Sequence, residues 1–98
     1  MQTIDLVAIG RNLSSTWKST VVGRPAGVNF KVLRMDACVY PDEVHDFDEA
    51  LLVIEGCMRL DIHGGVTEVH AGSVCVVPAG TPHGVAAGSH GTLVIVDR

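Results

Sequence analysis

At 98 residues the chain has room for one domain, and 47% apolar residues are enough for one hydrophobic core but not for two. A formal charge of −4, with Lys18, Arg24, Lys31 and Arg34 scattered along the chain, excludes a basic stripe for nucleic acid. No apolar run approaches the roughly 18 residues of a membrane span and no basic start precedes an apolar stretch, so no membrane partner and a cytoplasmic location are expected.

Residues 1–27 read as an N-terminal arm packing on the rest. Residues 4–9 fit either a short strand or the start of a helical turn, residues 12–15 a loop, and Trp17 is the expected anchor of the arm. The turn Gly23-Arg24-Pro25-Ala26-Gly27 then opens a single β domain over residues 28–98. Residues 30–40 alternate and end at Pro41. Residues 50–55 are nearly continuous apolar and break at Gly56. Residues 57–63 alternate, and Gly64-Gly65 reads as a hairpin turn. Runs at 66–70, 74–77, 83–87 and 92–97 complete the set. Short strands at regular spacing, with glycine at most breaks and no helical period after residue 20, predict an all-β, antiparallel barrel or double-sheet roll.

Cys38, Cys57 and Cys75 form no Cys-x-x-Cys pair and are odd in number, which fits a reducing compartment. Each lies in an apolar run and reads as a small buried hydrophobe. His63, His70 and His90 sit beside turns or glycines and read as solvent-exposed.

The chemistry is concentrated in two stretches. Glu43, His45, Phe47 and Glu49 occupy alternate positions, which in an extended segment would share one face. Three of the four can bind metal, a load that an ordinary core-facing strand avoids because a buried unpaired charge is costly. Glu43 equally fits an acidic, solvent-facing edge beside Asp42, Asp46 and Asp48. His83 follows Pro78-Ala79-Gly80-Thr81-Pro82, a turn whose prolines and glycine fix the direction in which the histidine is delivered. Imidazole and carboxylate together suit a divalent transition metal.

From Ala37 to Ala87 the chain resembles the cupin superfamily, whose motifs are G(X)5HXH(X)3–4E(X)6G and G(X)5PXG(X)2H(X)3N. His45, Glu49 and Gly56 match the second half of the first motif. Gly72, Pro78, Gly80 and His83 match the second, with Ala87 in place of its asparagine, and fifteen residues separate Gly56 from Gly72. The resemblance implies a cupin-type β-barrel (a double-stranded β-helix, or jelly roll) holding one divalent metal, Fe, Mn, Ni or Zn. The ligands it carries over are His45, Glu49 and His83. The chain departs from the pattern at two positions: Glu43 stands where the first histidine belongs, and Ala37 where the opening glycine does. Glu43 either adds a carboxylate ligand or points away, leaving three protein ligands and water. The flanks resemble small stand-alone cupins of the mannose-phosphate isomerase-like kind, although no Arg/Lys cluster for a phosphate lies near the motifs.

Three functions follow as expectations. The first is a metal-dependent enzyme on a small molecule, of oxygenase or isomerase/lyase type, with Tyr40 as a general acid and the small Ala86 and Ala87 leaving a cavity beyond His83. The second is a non-catalytic metal- or ligand-binding module. The third is a structural dimer with a degenerate site. A homodimer is expected from small size, through residues 30–35 or the arm pairing with a neighbour's sheet edge and burying Ile4, Leu6 or Trp17.

Overall fold

The computed structural model describes residues 2–98. Helix α1 (Leu6–Asn12) resolves the ambiguity of residues 4–9 in favour of a helix. Asp5 caps it, its carboxylate accepting from the Ala8 amide at 3.1 Å and satisfying one of the unpaired donors of the first turn. The strands follow as β1 (Thr20–Gly23), β2 (Asn29–Met35), β3 (Tyr40–Glu43), β4 (Glu49–Ile62), β5 (Gly65–His70), β6 (Val74–Val77), β7 (His83–Val85) and β8 (His90–Asp97). All pair antiparallel, in the order β1-β2-β8-β4-β7-β3, with β5 and β6 added to β4. The expected all-β, antiparallel architecture is the one observed.

Strand β4 organises the barrel. Its first half pairs with β6 and β8, and its second half with β5 and β7. The buried positions run Glu49, Leu51, Val53 and then Met58, Leu60. The inward parity therefore switches from odd to even across residues 54–57, where the register with β8 slips at a bulge. Gly56 is thus a bend inside one 14-residue strand, not the break that the sequence predicts. Gly56 (φ 80°) faces Gly91 (φ 98°) across the ladder. A Cβ on Gly56 would lie 2.1 Å from the His90 carbonyl oxygen, and one on Gly91 would lie 2.0 Å from that of Glu55. The backbones approach so closely that only glycine fits at either position. The core gathers between the two halves of the sheet, around Leu33, Met35, Leu51, Val53, Leu60 and Leu93.

Several sequence expectations are corrected. The run at 30–40 divides, β2 ending at Met35 and Pro41 falling inside β3. Strand β3 tolerates the proline because it ends the sheet order and pairs only with β7, so one edge needs no ladder donor. The hairpin turn is His63-Gly64, with φ of 54° and 76°, and Gly65 already belongs to β5. Strand β2 lies between β1 and β8, with β1 paired to residues 30–32 and the Trp17 amide bonded to the Arg34 carbonyl, so most of the edge expected to meet a neighbour is already taken within the chain. The cysteines differ from one another: Cys38 is exposed, Cys57 is half-buried, and Cys75 is half-buried against the core. His63, His70 and His90 are exposed, as read. No helix among the described residues is long and apolar enough to cross a membrane.

The arm is tied down. Its β1 segment joins the sheet, and α1 lies on β2 and β8 with Gly10 against Thr92. Trp17 is the expected anchor: its amide donates to the Arg34 carbonyl at 2.8 Å and its indole N–H to Asp36 at 3.1 Å.

Candidate metal centre

Glu49 opens β4 in the inward register of Leu51 and Val53, which carries a carboxylate to a position only 7% exposed. His83 opens β7 and is equally buried. Its Nε2 lies 3.2 Å from Glu49 Oε1, while Glu49 Oε2 lies 3.9 Å from His45 Nε2. These three residues offer one ligand atom each, all within 4.8 Å of one another.

Hydrogen bonding defines what this trio can hold. His83 Nδ1 lies 3.0 Å from the Thr81 carbonyl oxygen, which can only accept, so Nδ1 carries the proton. In a neutral ring the Nε2 lone pair then faces a buried carboxylate oxygen. Two acceptors at this distance need a cation between them, a proton or a divalent metal. The donor set of two imidazoles and one carboxylate fits a transition metal, and the carbonyl that fixes the His83 tautomer is the outer partner such ligands use.

The two motif stretches are joined by backbone bonds that sequence spacing does not reveal. Residues 44–48 are a loop rather than an extended strand, so one-face alternation is not what brings Glu43, His45 and Glu49 together. The loop is instead sewn to the Pro78–Pro82 turn: the Gly80 amide donates to the His45 carbonyl at 2.8 Å, and the Ala79 amide to the Asp48 carboxylate at 2.9 Å. Phe47 stacks on the His45 ring, with centroids 4.9 Å apart and planes 12° from parallel. Asp48 therefore positions the site, a role hidden in the sequence by its place in an acidic run.

Glu43 stands at the rim. Its carboxylate lies 3.4 Å from His45 Nε2, but the side chain is 71% exposed and lies outside the group of three. Tyr40 borders the cavity, yet its hydroxyl donates to Asp36, at 2.9 and 3.1 Å from the two carboxylate oxygens. Burial and that carboxylate raise the Tyr40 pKa, the opposite of what a general acid needs. Thr16, the Cys38 amide, Tyr40 and Trp17 all hydrogen-bond Asp36 and hold its carboxyl well below the ordinary range. These four contacts make Asp36 the clasp between arm and barrel.

The trio faces a cavity of about 430 Å3. Leu33, Leu51, Met58, Val85 and Leu93 give it an apolar wall. Ala86 and Ala87 do not border it; the space lies on the β2–β8 side of His83. Lys31 also lines it, with Nζ 2.6 Å from Asp97 Oδ2, and the buried Asp97 accepts a further bond from Asn29 at 3.1 Å. This lysine was invisible as a site residue in the sequence because it lies on a strand outside both motifs.

The cupin domain family (Cupin_2) matches residues 33–97. Among solved structures, a cupin-2 domain-containing protein from Shewanella frigidimarina is 22% identical, covers 97% of this chain and 94% of its own, and superposes with a TM-score of 0.86. A Ralstonia eutropha protein provisionally assigned as a mannose-6-phosphate isomerase is 16% identical over 99% of this chain and 97% of its own, with a TM-score of 0.78. Hydroquinone 1,2-dioxygenase PnpCD, solved with Cd2+ and 4-hydroxybenzonitrile, is 19% identical, with 95% of this chain and 70% of that one aligned and a TM-score of 0.79. At these identities the likeness concerns the fold, and the two activities differ, so fold alone selects neither. No curated protein sequence matches the chain. Motif residues, barrel topology and a family match over two thirds of its length agree: the chain belongs to the cupin domain family.

Proposed function

We propose that the protein is a metal-dependent enzyme of oxygenase or isomerase/lyase type, acting on a small molecule held in the cavity beside His45, Glu49 and His83. One observation carries this reading: a buried carboxylate and a tautomer-locked imidazole meet at 3.2 Å at the wall of a mostly apolar cavity of ligand size. His45, Glu49 and His83 would hold the metal, which supplies Lewis-acid polarisation of a bound oxygen. Three protein ligands leave coordination positions for water or substrate. The apolar wall takes the body of the ligand and excludes water, while Lys31, the cation of the lining, offers a donor to an anionic or hydroxyl group at the far side.

A second reading, a non-catalytic ligand-binding module, draws on Tyr40. Its hydroxyl is bound to Asp36, and Lys31 is bound to Asp97, so neither is a free acid or base. The deciding experiment loads the protein with Fe(II), Mn(II), Ni(II) or Zn(II) and offers small phenols, hydroxy acids and sugars, following ligand binding and chemical loss together by mass spectrometry. Metal-dependent loss supports the enzyme, and binding without loss supports the module. A protein that takes up no metal from supplemented medium refutes both.

A homodimer remains part of the proposal, through a surface other than residues 30–35. Val74 (55% exposed) and Val76 (59%) project outward from β6, which pairs only with β4, and would gain from cover by a second copy. A light-scattering mass of one chain at micromolar concentration would refute it. The three free thiols support a cytoplasmic location.

A further inference from the structure

We propose that Cys57, Glu68 and His70 form a second, outward-facing site for a divalent metal of zinc type, independent of the interior trio. The sheet register builds it. Cys57 and His70 are direct partners across β4 and β5, and Glu68 is the partner of Arg59 two pairs along, so the three side chains leave the same face. Glu68 Oε2 lies 3.8 Å from Cys57 Sγ and 3.5 Å from His70 Nε2, and one ligand atom from each residue falls within a 4.8 Å cluster. Tetrahedral zinc, with bonds of about 2.3 Å to sulfur and about 2.0–2.2 Å to nitrogen and oxygen, requires separations of about 3.6 Å for S···O and about 3.4 Å for N···O. The two separations that involve Glu68 already stand within a few tenths of an ångström of those values, and the thiol and imidazole fall inside the same 4.8 Å cluster.

The orientation of Glu68 is informative. Its ladder partner Arg59 is the nearest opportunity for an ion pair, yet among the described residues none joins them, and the carboxylate turns to the thiol and the imidazole instead. Cys57 has a second cross-strand neighbour, His90 on β8, but that ring has its Nδ1 at 3.4 Å from the Gly88 carbonyl. His90 lies outside the cluster of ligand atoms, so three protein ligands leave the fourth coordination position to water. Parity keeps the two sites apart: Glu49 is on the inward face of β4, and Cys57, beyond the bulge, is on the outward one. The chemistry also differs, because a thiolate is a soft ligand and the interior set has none. On binding, the Cys57 thiol passes its proton to solvent as the Cys57–metal bond forms.

The test is a Co(II) titration of the whole protein, read by the near-ultraviolet sulfur-to-cobalt charge-transfer band. The interior trio contains no sulfur and cannot produce it. The band should saturate at about one added ion per chain in His83→Ala, where the interior trio is broken, and with the same final intensity in the wild type, where the interior trio takes up to one further ion without adding to the band. It should vanish in Cys57→Ser and need at least tenfold more cobalt in His70→Ala and Glu68→Gln, with far-ultraviolet circular dichroism confirming that each variant folds. Added Zn(II) should displace the cobalt and erase the band. No band in the folded wild type, or a band of equal midpoint in His70→Ala and Glu68→Gln, would overturn the site, the latter by showing a lone thiol. Neither outcome bears on metal binding by His45, Glu49 and His83.

Discussion

Glu49 Oε1 and His83 Nε2 stand 3.2 Å apart although 34 residues separate them along the chain. Each opens a strand, β4 and β7, and each is buried at that strand's first residue. With the His83 proton fixed on Nδ1 by the Thr81 carbonyl, the pair is poised for a cation. His45→Ala and His83→Ala are therefore expected to bring the bound transition metal from near stoichiometric to background, by elemental analysis after dialysis. Glu43→Gln should keep the metal, with affinity changed by less than about tenfold, since a rim carboxylate this exposed contributes little. Loss of metal in Glu43→Gln would place Glu43 among the ligands.

Asp48 offers a subtler test. Its carboxylate accepts from the Ala79 amide and holds the turn that delivers His83. Asp48→Ala should weaken metal affinity by about 10–100-fold, the usual effect of losing an outer partner, while stoichiometry at saturating metal stays unchanged. Asp48→Asn retains an acceptor oxygen and should recover most of the loss. Equal weakening by both substitutions would show that charge, not positioning, is what Asp48 supplies.

At the β4–β8 crossing the expectation concerns stability. Gly56→Ala or Gly91→Ala forces a Cβ to about 2 Å from a backbone carbonyl oxygen, at a positive φ. No flexible side chain can yield there, so the strands must separate. Each change should cost about 3 kcal/mol or more, enough to abolish most soluble expression or to lower the urea midpoint sharply. A wild-type midpoint in either variant would contradict the close approach.

Asp36 predicts a pH dependence. Hydrogen bonds from Thr16, the Cys38 amide, Tyr40 and Trp17 depress its pKa in the folded protein below the unfolded value of about 3.9. The unfolded chain therefore binds the proton more tightly. The stabilisation is present above about pH 4 and is lost as pH falls toward the depressed folded value. Thermal midpoints measured from neutral to acid pH should show Asp36→Asn less stable than wild type at neutrality, with the gap narrowing below about pH 4. A constant gap across the acid range would assign the loss to packing rather than to the charge.

Much of the fold and part of the site could be read from the sequence, because both depend on local spacing. Period-two runs between glycine turns indicate short antiparallel strands whatever their partners. The intervals linking His45 to Glu49 and Gly72 to His83 carry the cupin resemblance without any knowledge of contacts. Tertiary structure decided what local spacing cannot encode. Glu49 faces inward because β4 packs Leu51 and Val53 into the core, and the parity switch at the bulge beside Gly56, where the backbone packs closely against Gly91 on a strand 35 positions away, turns Cys57 to the outside. Lys31, Asp36 and Asp48 gained their roles only when distant segments met, through an ion pair, an arm clasp and a loop-to-turn bond. Glu43 and Tyr40, read as site residues from position alone, were placed by the same long-range packing at the rim and on Asp36. Pairing preferences are written residue by residue, but burial and hydrogen-bond partners depend on which strands lie side by side.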